Sequence, residues 1–294
     1  RDIGVGLILF AVSDVQSVGL SPTPPSHRRM RVVRRSELTF RAGIGLIVGL
    51  GTAVVGWEVG GPPAVWVGLV PLLVAGWFAL RTPLRRARAI GAPFPDRWRD
   101  QLEHTSTFYP RLGKEARTQF ERDVQIFLAE HEIEGVAGVE VTDRLRLALA
   151  AGAATLLHGR PDWELPRSHS FLYYPADFNE EYFLEGEASD VSLQGRAHGQ
   201  GPVILSVPAV EYDLEHPRDG DNVILHELAH LIDFENADAD GLPSWLDASS
   251  TQAWWSLLER ETNRIRKGRS LLRPYAASHP TEFFAVATEV FFEQ

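Results

Sequence analysis

The 294-residue chain contains no cysteine and a single methionine, Met30. The first absence excludes disulfides, thiolate metal sites and cysteine nucleophiles, so any metal must be held by His, Asp or Glu. A cysteine-free chain fits a reducing compartment. No internal repeat or low-complexity tract occurs. Basic residues are scarce over most of the chain: residues 90–294 hold 18 Lys and Arg against 35 Asp and Glu, whereas residues 1–89 hold 11 against 4. The acidic balance of the larger part argues against nucleic acid as a partner, because the phosphate backbone requires a basic surface.

Long hydrophobic runs are confined to the first part. "AGIGLIVGLGTAVVGW" (42–57) and "AVWVGLVPLLVAGWFAL" (64–80) are uncharged and are separated by a stretch rich in turn formers, Gly60, Gly61, Pro62 and Pro63. They read as a two-helix membrane hairpin within residues 30–89, with Trp57, Trp66 and Trp77 at the interfaces. Arginines flank it on both sides, Arg31, Arg34, Arg35 and Arg41 before and Arg81, Arg85, Arg86 and Arg88 after. The positive-inside rule then places both ends in the cytoplasm, and with them a domain facing the cytoplasm from the inner membrane. Residues 1–29 read as a leader or non-native segment ahead of a start at Met30.

With 44% hydrophobic residues overall, the chain can bury a core, and residues 90–294 have the pattern of one globular domain. Phe120, Val124, Phe127 and Leu128 recur on one helical face, and Thr142 or Asp143 caps the next helix. Strands are expected at 170–178 and 201–210, and helices at 249–267 and about 280–292. The expected class is α+β.

Chemistry concentrates in "NVILHELAHLIDFENADADGLPSW" (222–245). On a helix beginning near Asn222, His226 and His230 lie four apart on one face, within reach of one ion. Glu227 lies about 100° around the helix, where it misses the metal yet addresses its water. The bland reading of this H-E-x-x-H is a satisfied pair of core histidines beside a surface glutamate.

A catalytic zinc site ordinarily takes three protein ligands and a water. An extension of the metzincin kind needs glycine at 233 and a ligand at 236, where this chain has Asp233 and Asn236. A later helix offers Glu282 and Glu289, seven apart and roughly on one face. Glu282, in the first turn after Pro280, is the chosen third ligand; Glu289 is suited to take an imidazole N–H instead. Asp233 is suited to orient a ligand or cap a loop.

The segments "FLYYPADF", "GPVILSVPAV", "VILHELAHLIDFENADADGLP" and "YAASHPTEFFAVATEVFF" resemble the Mlc titration factor A family of zinc peptidases, which is gluzincin-like. The resemblance covers roughly residues 92–294. It implies a zincin-like metallopeptidase domain, zinc (Zn2+) on His226, His230 and Glu282, Glu227 as catalytic base, and Tyr275 as a residue acting on the transition state. It also implies peptide or protein substrates, binding to a transcriptional repressor such as Mlc, and a helical tail after the point where this chain stops. A non-catalytic, membrane-tethered module that binds such a regulator is the alternative. "GPVILSV" reads either as the edge strand of a zincin cleft, aligning a peptide by strand addition, or as a plain core strand.

Overall fold

The computed structural model describes residues 43, 47–55, 57–58, 69–158, 165, 170–177, 195–197, 201–234, 240–242 and 248–294. The chain divides into two compact units, Arg28–Pro93 and a larger one containing Phe94–Gln294.

In the smaller unit, residues 47–55 are helical, and helix α1 runs over Leu69–Gly91. The helix does not end with the apolar run. It continues through Pro83 into Arg81, Arg85, Arg86 and Arg88, so the uncharged part of Leu69–Gly91 is Leu69–Leu80. At 1.5 Å per residue that part is about 18 Å long, against a hydrocarbon core of about 30 Å. Among the described residues no helix is long and apolar enough to cross a membrane. This overturns the expected transmembrane hairpin, and the inner-membrane placement with its cytoplasm-facing orientation falls with it. The leader assigned to residues 1–29, and residues 30–42, 44–46, 56 and 59–68 of the expected hairpin unit, lie outside the described residues.

The larger unit is mixed α and β with helices predominating, which suits a metallopeptidase domain. Its helices are α2 (Asp96–Thr105), α3 (Lys114–Glu130), α4 (Asp143–Leu157), α5 (Val207–Glu215), α6 (Val223–Asp233), α7 (Ala248–Arg266) and α8 (Pro280–Glu293). The strands are β1 (Ile133–Gly135), β2 (Phe171–Tyr174), β3 (Gly195–Arg196) and β4 (Val203–Ser206), in the sheet order β1-β2-β4-β3. β1, β2 and β4 are parallel, with Ile133 opposite Phe171 and Phe171 opposite Val203. β3 runs antiparallel to β4, with Gly195 opposite Leu205.

One open reading of the sequence is decided here and one expectation changes. β4 is buried at all four positions and sits between β2 and β3, so "GPVILSV" is an interior strand, and among the described residues β1 and β3 are the two edges of the sheet. The run expected to stay extended to residue 210 instead turns helical at Val207. Ser206 accepts a hydrogen bond from the Ala209 N–H at 3.4 Å, and a proline stands in the first turn. A capping serine followed by proline is a helix start, and it outweighs the β-branched valines.

Helix α6 positions the chemistry and is buried along its whole length. Asn222 caps it, its Oδ1 accepting from the Leu225 N–H at 2.9 Å. α4 packs across one side so closely that a Cβ on Gly152 would lie 2.5 Å from Ile224 Cγ2. α8 packs on another. Trp254 of α7 fixes the start of α8: its ring meets Phe283 and Phe284 at 5.9 and 6.1 Å, and its Nε1 donates to the Gly241 carbonyl at 3.0 Å. Gly241 has φ 75°, and a Cβ there would lie 2.3 Å from the Pro280 carbonyl oxygen. Only glycine combines that backbone conformation with that approach.

Candidate metal centre

One turn of α6 carries His226 and His230 with their Nε2 atoms 3.2 Å apart. The first turn of α8 brings Glu282 Oε2 to 3.0 Å from His226 Nε2 and 3.5 Å from His230 Nε2. These three are the group of side chains, among the described residues, that could hold a metal ion. Ligands about 2.05 Å from a tetrahedral zinc lie about 3.3 Å from one another, so the three separations fit one ion. Glu282 Oε2 is buried and takes no hydrogen bond in good geometry despite its two imidazole neighbours. The three ligand atoms crowd round one point, an arrangement that a cation at that point satisfies.

The far side of His226 is fixed by Glu289, whose Oε1 lies 2.6 Å from Nδ1. A proton on Nδ1 leaves the Nε2 lone pair free, which is how metal-binding imidazoles are commonly oriented. Glu289 is itself gripped by Arg273, with Nη1 at 2.8 Å from Oε2 and Nη2 at 2.9 Å from Oε1. The carboxylates set the local charge. Burial opposes protonation of His226, but Glu282 and Glu289 outweigh it and push its pKa up to about 10. Burial likewise opposes ionisation of Glu282 and Glu289, yet the histidines hold Glu282, and His226 with Arg273 hold Glu289, below the usual carboxylate range. The site asks for positive charge.

Glu227 is buried beside the histidines, and its Oε2 has no hydrogen-bond partner. Burial raises its pKa against the opposing influence of His226 and His230, which suits a carboxylate that must accept a proton near neutral pH. It reaches its place because β3 passes directly over it: a Cβ on Gly195 would lie 2.6 Å from Glu227 Oε1 and 2.7 Å from its Cγ. Gly195→Ala is therefore expected to push Glu227 aside without altering any reacting group. A displacement of about 1 Å costs up to roughly a hundredfold in rate; a ten- to hundredfold fall in kcat with unchanged metal content is the expected result, read by steady-state kinetics and metal analysis.

Tyr275 lies in a 3-10 turn, Pro274–Ala277, with its ring 6.1 Å from the His226 ring. It is about half exposed, and burial together with Glu282 raises its hydroxyl pKa to about 12, so it remains a donor. Asp233 does not join the metal group. Its Oδ1 and Oδ2 accept from the Gly241 N–H at 2.9 and 3.1 Å, so it caps the turn that abuts α8. Asn236 lies outside the described residues.

Sequence reasoning found the two histidines, Glu227 and Glu282 as candidates, and the structure gathers them with Tyr275 around one point. It missed Gly195 and Arg273. Neither carries a local signal, since a Gly-Arg pair in a polar stretch and an arginine before Pro274 are ordinary loop residues.

The sequence pattern of the glucose-regulated metallo-peptidase M90 family matches residues 81–294. The chain belongs to that family. It is similar to an uncharacterized protein of Synechocystis sp., 31% identical over 223 residues that span 71% of this chain and 80% of the relative. It is also similar to Mlc titration factor A of Salmonella arizonae, 30% identical over 56% of this chain and 70% of that protein. The Mlc titration factor A of Cronobacter sakazakii is 29% identical over 62% and 72%. An M90 chain is a metallopeptidase by family, and the resemblance drawn from the motifs is shown.

Proposed function

We propose that this M90 chain is a zinc-dependent peptidase whose metal is held by His226, His230 and Glu282 and whose general base is Glu227. The carrying observation is the convergence of three ligand atoms, 3.0 to 3.5 Å apart, beside a buried carboxylate oxygen with no partner. Bound zinc supplies a Lewis acid that polarises the scissile carbonyl and brings the pKa of water towards about 7.

The chain's own residues do the rest. Glu227 accepts the proton of the attacking water and returns it to the leaving amine, which departs neutral. Low solvent exposure keeps its oxygen from being hydrated by bulk water. The Tyr275 hydroxyl donates to the oxygen on which negative charge develops, and its half-exposed position puts it at the mouth of the site. An extended peptide lies along β3, the edge strand on the side of Glu227, whose backbone runs past that residue.

The test is metal content and peptide cleavage on the same preparation. About one zinc per chain is expected, as one three-ligand site requires, with cleavage of a peptide library lost on chelation and restored by zinc. Cleavage indifferent to chelator overturns the proposal.

The name of the relatives, Mlc titration factor A, favours a second reading in which the domain binds a regulatory protein such as Mlc without cleaving it. A buried carboxylate set beside the ligands is of no use to a pure binder, so the peptidase reading is preferred. Absence of cleavage across a broad library, with tight capture of Mlc by the metal-loaded protein, supports the second reading.

A further inference from the structure

We infer that Arg273 is a positioning residue for the metal ligand His226, acting through Glu289; the inference rests on the metal site proposed above. The Glu289 side chain has no exposed surface, and its two oxygens receive four hydrogen bonds. Oε1 takes one from His226 Nδ1 at 2.6 Å and one from Arg273 Nη2 at 2.9 Å. Oε2 takes one from Arg273 Nη1 at 2.8 Å and one from the Asn222 backbone N–H at 2.7 Å. A carboxylate offers about four acceptor sites, so Glu289 is saturated.

Two of the four donors belong to one guanidinium. A bidentate fork fixes the plane of the carboxylate as well as its position. That plane sets the direction in which Oε1 receives the His226 Nδ1–H, and hence the direction in which Nε2 points towards Glu282 and His230. Arg273 Nη2 also lies 3.5 Å from His226 Nδ1, but a nitrogen whose proton is directed at Glu289 Oε1 has no lone pair to accept with, so the coupling to the ligand runs through Glu289. The same guanidinium binds Asp221 through Nη1, in the loop that leads into α6. One side chain thus ties together the entry to α6, the body of α8 and the segment that presents Tyr275. A buried carboxylate stripped of its paired cation is costly and reorients, so the loss of Arg273 reaches the ligand even though α6 itself is untouched.

A residue that merely staples these segments would change folding stability and leave the affinity of the folded apoprotein alone. The experiment therefore measures zinc and cobalt dissociation constants of the full chain, by competition with a chelating indicator, for wild type, Arg273→Met and Arg273→Lys. Circular dichroism confirms that each apoprotein is folded, and the cobalt absorption spectrum reports ligand geometry. Arg273→Met is expected to weaken metal binding roughly ten- to hundredfold, the range for losing an outer partner of a metal-bound histidine, with an altered cobalt spectrum. Arg273→Lys, a point charge that cannot span both oxygens, is expected to recover only part of the loss. A folded Arg273→Met with the wild-type constant and spectrum overturns the inference. If Arg273→Met does not fold, Arg273→Lys decides, and wild-type affinity with an unchanged spectrum overturns it. Tight wild-type binding that ignores Arg273 removes this inference alone, whereas a wild type that takes up no metal removes the zinc reading with it.

Discussion

Glu227→Gln is expected to lower peptide hydrolysis by at least about a hundredfold and to leave metal content and folding nearly unchanged. The amide has almost the shape of the carboxylate, so it fits beneath Gly195, where β3 leaves no room for a bulkier group. It cannot accept the water proton. General-base catalysis contributes roughly 10² to 10⁴-fold, and a loss confined to kcat marks an interaction made in the transition state rather than in substrate binding. The substitution also removes a buried carboxylate whose ionised form burial disfavours, so the variant is expected to unfold at no lower temperature than wild type. Steady-state kinetics, metal analysis and a thermal melt on one preparation check all three. Cleavage at the wild-type rate would refute the mechanism.

Glu282→Gln should fail differently, losing the metal and the activity together. Glu282 is the one anionic member of the proposed ligand set, and His226 and His230 face its Oε2 at 3.0 and 3.5 Å. A neutral amide oxygen in its place leaves two imidazoles and a weak third donor. Zinc affinity is expected to fall by more than the roughly 10- to 100-fold that follows loss of an outer hydrogen-bond partner, with hydrolysis at background. Chelator competition and peptide cleavage report the two losses. Metal retained at wild-type affinity in this variant would remove Glu282 from the ligand set while leaving Glu227 as base. The contrast between the variants separates a residue that acts on water from one that holds the ion.

Much of this site was legible because its parts are locally encoded. The i, i+4 spacing puts His226 and His230 on one face of any helix that forms there, and the apolar residues between them make a helix the stable choice. Asn222 and Thr142 cap their helices because a side-chain oxygen ahead of an apolar periodic run satisfies an otherwise orphaned N–H. Glu282 and Glu289 followed from the same periodicity, two turns apart on α8. Apolar content was a poorer guide. The run ending at Leu80 suggested a membrane span, but hydropathy does not mark where a helix stops, and α1 carries its arginines within the same continuous helix.

Only the tertiary structure could decide which edge strand lies beside the site, what lies over Glu227, and what holds Glu289. β3 has two residues and, among the described residues, pairs with β4 alone. Gly195 is required by a side chain 32 positions away, and Arg273 is defined by partners at 221 and 289. Helix periodicity and caps are interactions over three or four residues and are written in the local sequence. Strand order, close approach and a shared guanidinium depend on segments that meet only when the chain closes on itself, and no short stretch contains that information.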